Sequence, residues 1–110
     1  MKFGDYVEVN LENEEELLKV SSTTHCKKVM QTIMTSYKNK NKHRIRGIGA
    51  AAINAIVKGC VLVSDVLKSG PVPVEMMLSV NWATVQGKDG TDVSAVEVVP
   101  HYFYKTGESE

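Results

Sequence analysis

The pattern of apolar and polar positions divides the chain into six regular elements. Residues 17–21 are typical of a short, half-buried strand, with Lys19 between apolar neighbours. Over about residues 24–37 the apolar side chains recur at helical spacing, which predicts an amphipathic helix that follows a hydroxyl-rich, capping turn. Residues 43–48 alternate, with two arginines on one face and Ile48 directed inward, and therefore predict a second strand.

The second half of the chain continues with a helix and two strands. The helix is predicted over residues 49–67 and ends before Pro71, which cannot continue it. Residues 74–86 and 91–104 have a period near two, and the Asp89-Gly90 pair between them is a hairpin signal. The order β-α-β-α-β-β predicts an α/β domain of the two-layer α+β kind, in which a mixed four-stranded sheet is backed by two helices.

The same periodicity predicts which helical side chains face the core. In the first helix Ser36 is predicted to face solvent. In the second helix Lys58 and Asp65 are predicted to face outward. The predicted buried stripe of that helix is Ile53, Ile56, Val57, Cys60 and Ser64 or Leu67.

Length and composition predict a single domain without a membrane segment. The chain has 110 residues, and we divide it into an acidic extension (1–16), a domain (17–104) and a polar tail (105–110). The N-terminus has no hydrophobic run, and the longest apolar stretch is interrupted by Asn54, Lys58 and Asp65. The two cysteines are far apart in sequence, which favours reduced thiols and a cytoplasmic location.

The formal net charge of zero conceals an uneven layout. Residues 17–70 carry ten basic residues against one acid, a difference of 10 − 1 = +9, whereas both ends of the chain are acidic. A basic block of this density favours a polyanionic partner. The alternative is that the acidic ends fold over the basic middle and neutralise it.

Three stretches resemble a known family. They are LKVSS (18–22), IRGIGAAAINAIVKGCVLVSDVL (45–67) and the closing VEMMLSV…DVSAVEVVP, and the most specific pattern is I-G-A-x-A-x-N-x-x-V-K from Ile48 to Lys58. They are similar to the stage V sporulation protein S (SpoVS) family of Alba-like nucleic-acid-binding proteins. The resemblance implies an Alba-like βαβαββ fold, homodimers or higher homo-oligomers, and a role in binding DNA or RNA.

The resemblance also implies where nucleic acid would bind. The matching positions are residues 22–28, 44–49 and 87–90. Two departures stand out. Paired lysines of the first Alba loop have no exact counterpart, since Lys27 and Lys28 fall later, inside the helix. The hairpin tip is short and balanced by acids, which argues against an arm that reaches into a groove.

The turn from Gly47 to Ala52 satisfies the pattern G-x-G-x-x-A between a strand and a helix. A dinucleotide fold also needs an acid at the end of the next strand and a second half, and the chain offers neither. Two interpretations stay open, in which the backbone N–H groups contact phosphate or the glycines only permit close packing.

The other candidates concern charge, catalysis and aromatic stacking. Asn54 and Lys58 share one helix face and are candidates for ordering a phosphate or a neighbouring subunit, with a hydrogen bond within the fold as the alternative. The histidines and cysteines lack metal-ligand spacing, and no nucleophile–base–orienter pattern is visible, so neither a metal, a cofactor nor catalysis is expected. Trp82 and the aromatic run 101–104 are predicted to fill a core or a dimer seam, with base stacking as the alternative.

The sequence thus predicts a small protein that binds DNA or RNA without strong sequence specificity, through phosphate contacts, with a regulatory or nucleoid-associated role. The alternatives are a protein-binding regulatory or assembly module of the sporulation type, and a small phosphorylated ligand at the glycine turn. The predicted nucleic-acid-binding residues are Lys27, Lys28, Lys40, Lys42, Arg44, Arg46, Gly47, Gly49, Asn54 and Lys58.

Overall fold

The computed structural model describes residues 2–106, which form six strands and two helices. The helices are α1 (Cys26–Lys38) and α2 (Ala50–Lys68). The strands are β1 (Lys2–Phe3), β2 (Tyr6–Glu8), β3 (Asn13–Val20), β4 (Asn41–Gly47), β5 (Val74–Gln86) and β6 (Asp92–Lys105). Of the predicted tail, residues 107–110 lie outside the described part of the chain.

Four of the strands form the predicted mixed sheet. β3 pairs with β4 in parallel, while β4 pairs with β6 and β6 with β5 in antiparallel register. The helices α1 and α2 follow β3 and β4 as crossovers and pack on one face of this sheet. The predicted βαβαββ order and the predicted two-layer α+β class are therefore confirmed.

The acidic N-terminal segment adds to the sheet. β1 and β2 form a hairpin, and β2 pairs with the end of β6 in the register Tyr6↔Lys105. β3 begins at Asn13, four residues before the predicted start, so part of the predicted extension lies within the central parallel pair. The pairing of β2 with β6 follows from the length of β6. This strand extends beyond the three residues that pair with β4, so its remaining backbone groups on that edge are available to another strand.

The core lies between the two helices and the sheet. Ile33, Ile45, Ile56, Val63 and Tyr102 are all at most 1% exposed. α2 is long and apolar enough to span a membrane by length and composition, but one of its faces is packed into this core. Packing on the sheet and on α1 accounts for this face of α2, whereas Val57, Val61 and Val66 leave a second apolar face exposed.

Three burial predictions were wrong, each because of the neighbouring elements. Val57 is 51% exposed, since it lies on the side of α2 away from α1, and Ile48 is 46% exposed, since it lies in the turn between β4 and α2 and not in the strand. Ser36 was expected to face solvent but is only 2% exposed, and its hydroxyl donates a hydrogen bond to the carboxylate of Glu16 on β3. A small hydroxyl fits under the sheet because a carboxylate there accepts its hydrogen bond.

Candidate nucleic-acid interface

One end of the sheet brings the predicted phosphate-binding segments together. β3 and β4 are parallel, so both strands end there and both helices begin there. A groove of about 450 Å³ opens at this end of the sheet. It is lined by Lys19, Val20, Ser21, Ser22, Arg46, Gly47, Ile48, Val85 and Gln86.

The first helix starts beside this groove with a histidine cap. The ring Nδ1 of His25 accepts a hydrogen bond from the backbone N–H of Lys27 at 3.1 Å. The expectation that a hydroxyl caps the helix was wrong, because the side chains of Ser21, Thr23 and Thr24 hydrogen-bond one another instead. Lys27, in the first turn of the helix, is exposed, as is the following lysine.

The second helix starts at the predicted glycine turn. Gly49 is its N-cap with φ +87°, a conformation that favours glycine, and no side chain in the described part of the chain caps the helix. The first N–H groups of α2 therefore have no side-chain acceptor and are suited to an anion. Gly47 has a packing role as well, since a Cβ there would lie 2.8 Å from Ile56 Cδ1 and 3.2 Å from Ala52 Cβ.

The two arginines of β4 share one carboxylate on the face of the sheet opposite the helices. Arg46 Nε donates to Glu97 Oε2 at 2.8 Å, and Arg44 Nη1 donates to Glu97 Oε1 at 2.9 Å. Glu97 is only 8% exposed, and the hydrogen bond from Arg46 holds the pKa of its carboxyl below the usual range. The arginines are thus largely neutralised in this structure.

The acidic N-terminal region adds a second carboxylate to this cluster. Arg44 Nε lies 3.2 Å from Glu15 Oε2, although the two groups are not aligned as a hydrogen bond. The carboxylates of Glu15 and Glu97 come from opposite ends of the chain. Carboxylates from the acidic ends of the chain therefore neutralise Arg44 and Arg46, as the alternative interpretation of the charge layout predicted.

The remaining predicted residues do not line the groove. Lys40 occupies the turn after α1 with φ +60°, and Lys42 borders a second cavity together with Glu8 and Glu15. Asn54 and Lys58 are exposed on the outer surface of α2, one helical turn apart. The predicted set is thus divided between the groove end, the far end of β4 and the outside of α2.

Sequence reasoning missed several groove residues. Lys19 lies directly opposite Arg46 in the β3–β4 register, and Ser21 follows the end of the strand, whereas Ser22 belongs to the predicted segment 22–28. Lys19 could have been found by assuming a parallel β3–β4 pair, because side chains in register share a face. No local pattern in the sequence predicts a role for Gln86, because only the packing of the β5–β6 hairpin in the tertiary structure brings this residue to the groove.

The β5–β6 hairpin extends the molecule, whose dimensions are 57 × 25 × 22 Å. Gly90 at its tip has φ +84°, which fits the predicted Asp-Gly turn. Tyr102 is buried in the core, as expected for the aromatic run. Trp82, however, is 79% exposed on the uncovered part of β5, together with Val80 at 63%.

The chain is similar to known proteins in both sequence and structure. The family model "Stage V sporulation protein S (SpoVS)" matches residues 16–101. A comparison with curated proteins gives no match. Among solved structures, Alba from Thermoplasma volcanium is similar, with a TM-score of 0.49 and 16% sequence identity over 82% of this chain and 100% of that chain.

Proposed function

The chain belongs to the stage V sporulation protein S family, and from that premise we propose that it binds DNA or RNA through the phosphate backbone, without strong sequence specificity. The observation that carries the proposal is the groove at one end of the sheet. Lys19, Arg46 and two serines line it, and the uncapped start of α2 lies beside it. Cations, hydroxyls and free N–H groups are the groups that contact phosphate oxygens in nucleic-acid complexes.

The lysines, rather than the arginines, supply the accessible charge in this proposal. Arg44 and Arg46 already pair with Glu97, so a phosphate must compete with a carboxylate for them. Lys19, Lys27 and Lys28 are exposed, and none of them forms an ion pair with another described residue. We therefore expect these three lysines to dominate the dependence of affinity on salt.

A salt titration of binding tests this proposal. Affinity for a mixed-sequence DNA duplex and for an RNA strand is measured over a range of salt concentrations. The comparison is between the wild type and the triple variant Lys19→Glu/Lys27→Glu/Lys28→Glu. The slope of log K against log salt is negative, and removing three phosphate contacts should reduce its magnitude by about 3.

Two further variants sharpen the result. Lys38→Glu changes the same charge in the last turn of α1, about 20 Å from its start, and we expect it to leave the slope nearly unchanged. Arg44→Glu/Arg46→Glu tests whether the two arginines that pair with Glu97 also contribute to the salt dependence of binding. A wild type that retains neither DNA nor RNA at low salt, or an equal slope in the triple variant and Lys38→Glu, would refute the proposal.

A homodimer or higher homo-oligomer is the second part of the proposal, and an exposed apolar strip favours it. Val57 and Val61 flank Gly59, which contacts α1, so both lie on the side of α2 away from that helix. Val80 and Trp82 project from the uncovered part of β5 on the same face of the sheet as the helices. A strip of this kind is typical of a protein interface.

The runner-up function is a protein-binding regulatory or assembly module that does not contact nucleic acid. The pairing of basic β4 with acids from both chain ends favours it, because the same surface could accept an acidic partner. In either case we propose a cytoplasmic, non-enzymatic protein, nucleoid-associated if it binds DNA. Glu15→Gln, which removes the N-terminal carboxylate beside Arg44 without shortening β3, distinguishes the two functions, since the module predicts a changed oligomeric state and the nucleic-acid function predicts stronger binding.

A further inference from the structure

The face of the sheet opposite the helices holds three side chains in a linear arrangement. The Oγ atom of Ser79 on β5 lies 2.9 Å from Nε2 of His101 on β6. Nδ1 of the same ring lies 3.1 Å from Oε2 of Glu8 on β2. Three separate strands therefore place a hydroxyl, an imidazole and a carboxylate in hydrogen-bonded sequence.

The chemistry of the partners determines the direction of both hydrogen bonds. A carboxylate only accepts, so the proton of the neutral His101 ring lies on Nδ1 and is donated to Glu8. Nε2 then carries the lone pair, and it accepts the hydroxyl proton of Ser79. A hydroxyl that donates to a basic nitrogen is in the position of an activated nucleophile.

The hydroxyl of Ser79 is accessible to solvent, and the hydrogen bond to Glu8 holds the His101 ring in place. Ser79 is exposed on β5, an edge strand whose described pairing is with β6 alone. The side chains of His101 and Glu8 are 35% and 26% exposed, and both border a cavity of about 370 Å³. Met77, which lies opposite His101 in the register and is 47% exposed, offers an apolar contact for an acyl group.

We propose that Ser79 is a nucleophilic serine that accepts an acyl group from an activated ester. Oγ attacks the ester carbonyl carbon while Nε2 of His101 takes the hydroxyl proton. The tetrahedral adduct then collapses, the bond from the carbonyl carbon to the leaving oxygen breaks, and His101 returns the proton to that oxygen. The products are the acylated serine and the free alcohol or phenol.

The geometry favours a single acylation over repeated turnover. Ser79 stands on an exposed strand, and among the described residues it borders no enclosed pocket that would hold a water molecule in line for His101 and stabilise the oxyanion of deacylation. The acyl group is therefore expected to remain on the serine. In this respect Ser79 is a modification site, and its reactivity does not depend on whether the groove binds nucleic acid.

The test uses p-nitrophenyl acetate as the probe, with the full chain at neutral pH. Release of p-nitrophenolate gives the rate, intact mass gives the number of acetyl groups, and peptide mapping gives their position. We expect a fast phase that places one acetyl group on Ser79. Ser79→Ala removes this phase, and His101→Gln slows it by about 10²-fold, the range of general-base assistance.

Matched variants separate this reaction from background acetylation. Ser94→Ala removes an exposed serine from the same hairpin and is expected to leave the fast phase intact. His25→Gln removes an exposed imidazole at the start of α1 and is also expected to leave the fast phase intact. If Ser79→Ala keeps the fast phase, or the acetyl group maps only to lysines or the N-terminus, the proposal is overturned.

Glu8 is a positioning residue in this arrangement, because it touches the imidazole and not the ester. Nitrogen NMR of the His101 ring reports its tautomer, which we expect to be Nδ1–H in the wild type. Glu8→Ala is expected to shift the ring toward Nε2–H and to slow acylation, while circular dichroism checks that the fold is kept. An unchanged tautomer with an unchanged rate would show that Glu8 has no such role.

Discussion

Arg46 and Glu97 lie directly opposite each other in the β4–β6 register, and one carboxylate oxygen of Glu97 accepts hydrogen bonds from both Nε and Nη2 of Arg46. The other oxygen accepts from Arg44. Arg44 and Arg46, at the centre of the predicted basic patch, thus form ion pairs within the sheet. The positive charge of β4 is therefore not freely available to a ligand.

Glu97→Gln is expected to lower the free energy of unfolding by about 1–3 kcal/mol, because two arginines are left without their shared carboxylate. Arg46 holds the pKa of Glu97 below its ordinary value, so the stabilisation is complete above the unfolded-state pKa of about 4.3. It is lost as the pH falls through the lowered pKa of the folded state. Urea unfolding from neutral to acid pH measures the difference, which should shrink at the acid end; a difference independent of pH would contradict this account.

His43 makes stability depend on pH near neutrality. The ring is 2% exposed, its Nδ1 donates to the backbone carbonyl of Asn41, and its Nε2 accepts from the Tyr102 hydroxyl. Burial lowers the pKa of His43, so the unfolded chain takes up a proton first and stability falls as the pH drops below about 6.5. The loss is at most about 1.4 kcal/mol per pH unit, and it levels off below the lowered pKa of the folded state.

Thermal unfolding at a series of pH values tests this dependence. His43→Gln should be less stable at neutral pH and should show a flatter pH profile, because its side chain does not titrate. His25→Gln is the matched control, since His25 is exposed at the start of α1, and it should keep most of the wild-type slope. Identical profiles for the wild type and His43→Gln would rule out His43 as the source.

Gly59→Ala is expected to destabilise the fold, although alanine normally favours a helix over glycine. A Cβ at position 59 would lie 2.6 Å from Val29 Cγ1 and 2.7 Å from Val29 Cβ, where α2 crosses α1. Overpacking of this kind costs about 1–3 kcal/mol, which denaturant unfolding measures. In the double variant with Val29→Ala the total loss should be smaller than the sum of the two single losses, because only the contact with Val29 Cγ1 is removed. Gly70→Ala, whose Cβ would meet only an ordinary contact at 3.8 Å, should change stability little.

Lys40→Gly is expected to stabilise the protein by about 0.5–1 kcal/mol. Lys40 follows the C-cap of α1 with φ +60°, a left-handed conformation that costs a non-glycine residue about 1–2 kcal/mol. Part of this gain is offset by the greater flexibility of glycine in the unfolded chain. Lys42→Gly removes the same charge from strand β4 and should destabilise; a Lys40→Gly variant that is less stable than the wild type would contradict the expectation.

The apolar strip on α2 and β5 predicts that a charge there dissociates the oligomer. Val61→Glu and Trp82→Glu each place a carboxylate on that strip, where it would have to be desolvated in an interface. Met77→Glu is the control, because Met77 is similarly exposed on the opposite face of β5. Light-scattering mass should fall for the first two variants and not for the third, and equal masses for all three would place the interface elsewhere.

The sequence predicted the elements closely wherever local periodicity determines structure. The predicted helices over residues 24–37 and 49–67 correspond to Cys26–Lys38 and Ala50–Lys68, and the predicted strand 74–86 coincides with Val74–Gln86. Hydrophobic spacing, Pro71 and the Asp89-Gly90 turn are local signals, and they are sufficient for such boundaries. The family pattern around Ile48–Lys58 likewise lies in one continuous stretch.

Only the tertiary structure determined which charges and hydroxyls meet. Arg46 faces Glu97, and Ser79 reaches Glu8 through His101, because the register of strands far apart in sequence aligns them. The same register brings Lys19 and Gln86 to one groove and places β2 beside β6. A one-residue shift in register would reverse the face of every side chain on a strand, and the local pattern does not specify the pairing between distant strands.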